Sequence, residues 1–92
     1  MLNIKDYVQL DCMGEFEFGL ALTSGEYSPV IKVVVVDHSQ FMVRTLGTAY
    51  ALEDAFSIAV DCIQTGFYVD GLAFRGIQGY SFSPTTTIAS GR

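Results

Sequence analysis

Residues 30 to 36 read Val-Ile-Lys-Val-Val-Val-Val, a β-branched apolar run broken only by one lysine. Such a run suits a strand in the middle of a sheet, covered on both faces or nearly so. It fixes the centre of the fold, and the flanking segments must supply its neighbours.

Upstream, Val8, Leu10 and Cys12 alternate with Gln9 and Asp11, the period-two pattern of a strand with one wet face. Gly14 offers a turn. The next segment alternates again, with Phe16, Phe18, Leu20 and Leu22 on one side and Glu15, Glu17, Gly19 and Ala21 on the other. The two segments predict a hairpin whose wet face carries Asp11, Glu15 and Glu17. Residues 23–29 are turn formers ending in Pro29, which cannot donate a ladder hydrogen bond, so they predict the loop before the central strand. After the polar turn Asp37, His38, Ser39 and Gln40, the alternation of Phe41, Val43 and Thr45 with Met42, Arg44 and Leu46 predicts a fourth strand. Short connections make the order antiparallel.

Beyond Gly47 the period changes. Leu52, Ala55, Phe56, Ala59 and Ile63 recur at helical spacing, while Glu53, Asp54, Ser57, Asp61 and Gln64 fill the other side. An amphipathic helix over 51–65 follows, with Thr48 as its N-cap, Glu53 and Asp54 near the positive dipole end, and Gly66 as its stop. Phe67 would pack back on the last turn. Gly71, Gly76 and Gly79 among Tyr68, Phe74, Tyr80 and Phe82 suggest short irregular strands or a loosened edge ribbon. From residue 83 the chain is small and polar.

The fold expectation is α+β: an antiparallel meander of four to five strands with one amphipathic helix packed on one face. Residues 1–82 form a single domain and 83–92 a polar C-terminal tail. The expected core is Phe16, Phe18, Leu20, Ile31, Val33, Val35, Phe41, Val43, Leu52, Phe56, Ala59 and Ile63.

Within 92 residues there is room for one core and one site at most. Half the residues are apolar and 16% are charged, too few to cover the surface, which points to apolar area buried in a partner or in self-association. Ten carboxylates against five Lys or Arg give a net charge of −5. That balance disfavours general binding to a phosphate backbone and favours a basic partner. The N-terminal residues lack the basic start and apolar stretch of a signal peptide, and no apolar run nears the roughly 20 residues a membrane helix needs. A cytoplasmic protein with no membrane contact is expected, with Cys12 and Cys62 as buried reduced thiols.

Candidate chemistry is sparse. His38, the only histidine, sits in a predicted turn and reads as solvated. It cannot form a metal site with two cysteines fifty positions apart, so neither metal nor cofactor is expected. Glu15 with Glu17, and Glu53 with Asp54, read as solvated faces. No catalytic set emerges. The glycines at 76 and 79, with Arg75, Tyr80 and Phe82, offer a possible contact to RNA, although one arginine makes a weak cluster and the same residues suit a glycine-rich edge strand.

The acidic hairpin, the lone helix with Glu53, Asp54 and Asp61, and the lack of a catalytic set together resemble a class of proteins. These are the compact acidic inhibitors that phages and mobile elements direct at bacterial defence complexes, of the anti-CRISPR or anti-restriction type. The class shares no motif, so no residue roles carry over from it. The resemblance implies a non-enzymatic inhibitor in the host bacterial cytoplasm. It would dock on a basic nucleic-acid-handling surface through Asp11, Glu15, Glu17, Glu53, Asp54 and Asp61. A homo-oligomeric phage assembly subunit using a strand edge is the alternative, and a small RNA-binding module is another.

Overall fold

The computed structural model of the chain describes residues 7–23 and 29–81. Its elements are β1 (Tyr7–Met13), β2 (Phe16–Thr23), β3 (Val30–Asp37), β4 (Met42–Ala49), α1 (Leu52–Thr65), β5 (Gly66–Val69) and β6 (Leu72–Arg75). The first four strands form one antiparallel sheet in sequence order, and β5 and β6 pair as a separate ribbon. The α+β architecture is thus a four-stranded meander with a helix on one face. The tail at 83–92 and most of the loop before β3 lie outside the described residues.

The valine run behaves as its composition dictates. β3 is paired on both sides, its Val33 and Val35 face α1 with no exposure, and Val34 on the opposite face is only 4% exposed. Leu20, Ile31, Val33, Ala49, Ala55 and Ala59 form one buried cluster. Three of these are alanines, and a Cβ added to Gly47 would stand 3.0 Å from Ile58. Small residues on both surfaces therefore let α1 lie close over β3 and β4.

A second cluster joins the ribbon to the sheet through Phe18, Val35, Ile63 and Leu72. Phe18 meets Phe74 and Phe67 edge-on, with ring centroids 5.2 and 6.1 Å away, while Phe67 and Phe74 stack at 5.4 Å. Aromatic pairs in these geometries add to plain burial. Of the two forms expected for this region, short irregular strands or a loosened ribbon, a ribbon forms, and it is a tight hairpin: Asp70 and Gly71 both have positive φ, 46° and 86°, as a two-residue type I′ turn requires.

Backbone close packing explains Gly66 and Gly76. The Gly66 N–H donates to the Cys62 carbonyl as the helix stops, and the Ile77 N–H donates to the Ile63 carbonyl at 2.8 Å. A Cβ on Gly76 would collide with the backbone of Gln64, Thr65 and Gly66. Gly76 therefore lets the chain after β6 cap the end of α1.

Several expectations are corrected. Phe41, Val43 and Leu52 are exposed rather than core residues. Leu52 stands at the open start of α1. For Phe41 and Val43 the cause is the turn after β3: the Asp37 carboxylate accepts hydrogen bonds from the Ser39 N–H at 2.9 Å, the Ser39 hydroxyl at 2.6 Å and Gln40 Nε2 at 3.2 Å. This Asx-type turn carries through Phe41, so β4 starts at Met42, and Met42 and Leu46 pack inward instead. Leu72, Phe67 and Phe74 join the core in their place. Thr48 is not the N-cap; β4 runs through Ala49, and Ala51 occupies the cap with no side-chain hydrogen bond. Cys12 is exposed rather than buried, and Cys62 is half-buried.

Candidate functional site

A β-bulge divides the carboxylates of the first hairpin. Pairing slips between Gln9 and Asp11, so Asp11 stands opposite Phe18 while Cys12 stands opposite Glu17. Because side chains alternate across a strand, the slip turns Asp11 to the helix side and leaves Glu17 on the outer face. Glu15 lies exposed in the turn between β1 and β2. The single wet acidic face expected for this hairpin does not form.

Asp11 and Glu17 both hold tyrosines. The Tyr80 hydroxyl donates to Asp11 Oδ2 at 2.9 Å, and the Tyr80 ring packs against the Phe18 cluster. Burial, then the bond to Asp11, raises the Tyr80 phenol well above its ordinary pKa. Tyr80, partly buried, thus anchors the segment after β6 to β1. Arg75 is exposed, and Phe82 lies outside the described residues.

On the outer face, the Tyr7 hydroxyl donates to Glu17 Oε2 at 2.6 Å and His38 Nε2 lies 2.8 Å from Glu17 Oε1. The bond from Tyr7, then that from His38, holds the Glu17 carboxyl below its usual range. Burial first, and Glu17 second, keeps Tyr7 protonated. The Tyr7 ring lies across Gly19, which has no side chain to displace it. This trio was not anticipated. The available signal was a glycine two residues after an acid on the wet side of β2, with a tyrosine in the neighbouring strand, a pattern in which an aromatic covers a strand glycine.

Cys12 shares the outer face with Glu17, and its Sγ accepts from Gln9 Nε2 at 3.0 Å. Burial, with a smaller push from Asp61, raises the Cys62 thiol. Neither cysteine hydrogen-bonds to His38, and among the described residues no group of three His, Cys, Asp or Glu side chains is placed to hold a metal ion. Likewise, no helix among them is long and apolar enough to cross a membrane.

Glu53, Asp54 and Asp61 remain on the solvent side of α1, as its periodicity requires. Glu53 and Asp54 occupy the first turn, and no basic residue stands in the last. The described residues hold eight carboxylates and three Lys or Arg. Of those cations, Arg44 is bound to the hairpin turn, with Nη2 donating to the Asp70 carbonyl at 3.3 Å and Nε 3.8 Å from Asp70 Oδ2. None forms an ion pair with the helical carboxylates among the described residues. Beside Asp61 an open groove of about 440 Å³ runs along α1, lined by Phe56, Ser57, Val60, Asp61 and Gln64. Gln64 Nε2 donates to the Tyr80 carbonyl at 2.6 Å.

No protein-family model, curated protein or solved structure matches the chain.

Proposed function

We propose that the protein is a non-enzymatic docking domain that occupies a basic, nucleic-acid-handling surface of a bacterial defence complex. This is the mode of an anti-CRISPR or anti-restriction inhibitor. The observation that carries the reading is the carboxylate set Glu53, Asp54 and Asp61 on the exposed side of one helix, with no ion-pair partner among the described residues. Charges fixed on a helix and left without internal partners lose little on meeting a cationic surface, and they raise the encounter rate with it. Glu15 is likewise exposed, in the turn between β1 and β2, whereas Asp11 and Glu17 are engaged by Tyr80 and by Tyr7 with His38. The contact surface is therefore narrower than the six carboxylates of the sequence expectation.

The test is capture from a bacterial lysate on the immobilised protein, with bound proteins identified by mass spectrometry. A nucleic-acid-binding complex that elutes as salt rises, and that no longer binds nucleic acid while the protein is attached, is the expected result. The triple variant Glu53→Gln, Asp54→Asn, Asp61→Asn should lose the capture. Retention at parental strength would reject the helical surface.

A second reading, a self-associating assembly subunit, is favoured by a different observation: Phe41, Val43 and Tyr50 lie exposed along one edge of the sheet.

A further inference from the structure

The two edges of the sheet are guarded differently. β1 contains Asp11, and Tyr80 is tied to that carboxylate. Beyond β4 no further strand lies among the described residues. The exposed side chains of β4 are Val43, Thr45 and Thr48, all β-branched and uncharged. An edge of this kind templates another strand unless a lysine, a proline, a covering segment or a bulge that turns the strand away blocks it. Its one charged residue, Arg44, is held by Asp70.

Two aromatics flank the strand. Phe41, one residue before β4, is 90% exposed, and Tyr50, one residue after, is 76% exposed. Phe41 also has a φ of 57°, a left-handed conformation that glycine adopts without strain and a bulky side chain does not. Nothing within the described fold rewards a phenylalanine there.

The β4 bulge makes the edge self-complementary. β3 pairs Val34 with Thr45 but Val33 with Gly47, so Leu46 is the extra residue and the alternation shifts by one across it. Val43 and Thr48 consequently lie on the same face, and Met42 and Ala49 share the other. An antiparallel second β4 that sets Val43 opposite Thr48 keeps the faces matched on both arms. That register carries Phe41 of each copy to Tyr50 of the other.

We propose that β4 is a self-association edge at which a second copy of this chain pairs antiparallel, joining two meanders into one continuous sheet with Phe41 against Tyr50 at both ends. Register selects this occupant: β4 read against itself is face-matched on both arms and sets Phe41 against Tyr50 twice. Copies of net charge −5 repel one another, so the contact is held by strand pairing and apolar packing at an edge whose only charge, Arg44, is already paired with Asp70. The proposal is independent of the helical docking surface.

Sedimentation equilibrium of the full chain between about 1 and 500 µM should show a reversible change from 10.0 kDa to twice that mass. Thr45→Lys places an ammonium on the edge and should weaken the association about tenfold or more, with the unfolding midpoint unchanged. Thr45→Ser should leave it within about twofold. In a background of Cys12→Ser and Cys62→Ser, a mixture of Phe41→Cys and Tyr50→Cys chains should form a disulfide faster than either variant alone. This cross-linking reads the register even if Thr45→Lys fails to fold. A chain that is monomeric throughout overturns the proposal, even if it binds extended peptides. So does a dimer that shows no preference for the mixed cross-link.

Discussion

Gly19 lies beneath Tyr7, and substituting it tests the outer-face cluster directly. A Cβ at Gly19 would reach Tyr7 Cε1 at 2.6 Å and the hydroxyl closer still. Gly19 sits in a paired strand, so the tyrosine ring must swing aside, and its hydroxyl then leaves Glu17, 2.6 Å away. Hydrogen bonds to charged groups contribute about 1.5–3 kcal/mol, and partial solvation puts this one at the lower end, about 1.5 kcal/mol. Replacing a strand glycine by alanine contributes about 0.5–1 kcal/mol in the opposite direction, through the unfolded chain. Gly19→Ala should therefore lower stability by about 0.5–1 kcal/mol. With Tyr7→Ala already in place the obstruction is gone, and the same substitution should raise stability by about 0.5–1 kcal/mol. Urea denaturation of the four proteins measures both effects. The same sign in both backgrounds would refute the coupling of Gly19, Tyr7 and Glu17.

Three further outcomes follow from the packing and the charges. Gly76→Ala drives a methyl group into the backbone of Gln64 and Thr65 and should cost about 2 kcal/mol or more, read from the denaturant midpoint, whereas Gly71→Ala meets no neighbour and is opposed only by its φ of 86°. Leu72→Ala should cost about 2–5 kcal/mol in the same assay, because Leu72 is fully buried, while Phe41→Ala, at 90% exposure, should be neutral or slightly stabilising in the monomer. Glu17 has a folded pKa below its ordinary 4.5, so its contribution is present above that value and fades as pH falls through the folded pKa. Glu17→Gln should accordingly flatten the acid limb of the stability curve below about pH 4.5.

The meander and the helix were legible because each rests on a long, unambiguous period. The valine run needed partners on both sides, and the spacing of Ala55, Ala59 and Ile63 admitted only one buried helical stripe. What misled was phase. Phe41 and Val43 alternate as convincingly as Met42 and Arg44, and only the hydrogen bonds of Asp37 to Ser39 and Gln40 decide which set faces inward. The bulge at Leu10 likewise reverses Asp11 against Glu17, and no residue type announces it. The β5–β6 hairpin was different. Asp70-Gly71 between Val69 and Leu72 is a strong two-residue turn signal, obscured by the surrounding glycines, of which Gly66 and Gly76 serve backbone packing at the end of α1.

The candidate surfaces carry opposite electrostatic signatures, which makes them separable in one experiment. Docking by Glu53, Asp54 and Asp61 on a basic surface is attraction between unlike charges and must weaken as salt screens it. Pairing through β4 brings together two chains of charge −5, with α1 lying over β3 and β4 in each. A two-fold axis through the paired edges places both helices on the same face of the joined sheet, so their carboxylates repel across it. Self-association must therefore strengthen as salt rises, until screening is complete. Neutralising the three helical carboxylates should abolish the first effect and tighten the dimer at low salt. If that triple variant weakened both interactions together, the two surfaces would be one, and the assignment of β4 as an independent edge would fail.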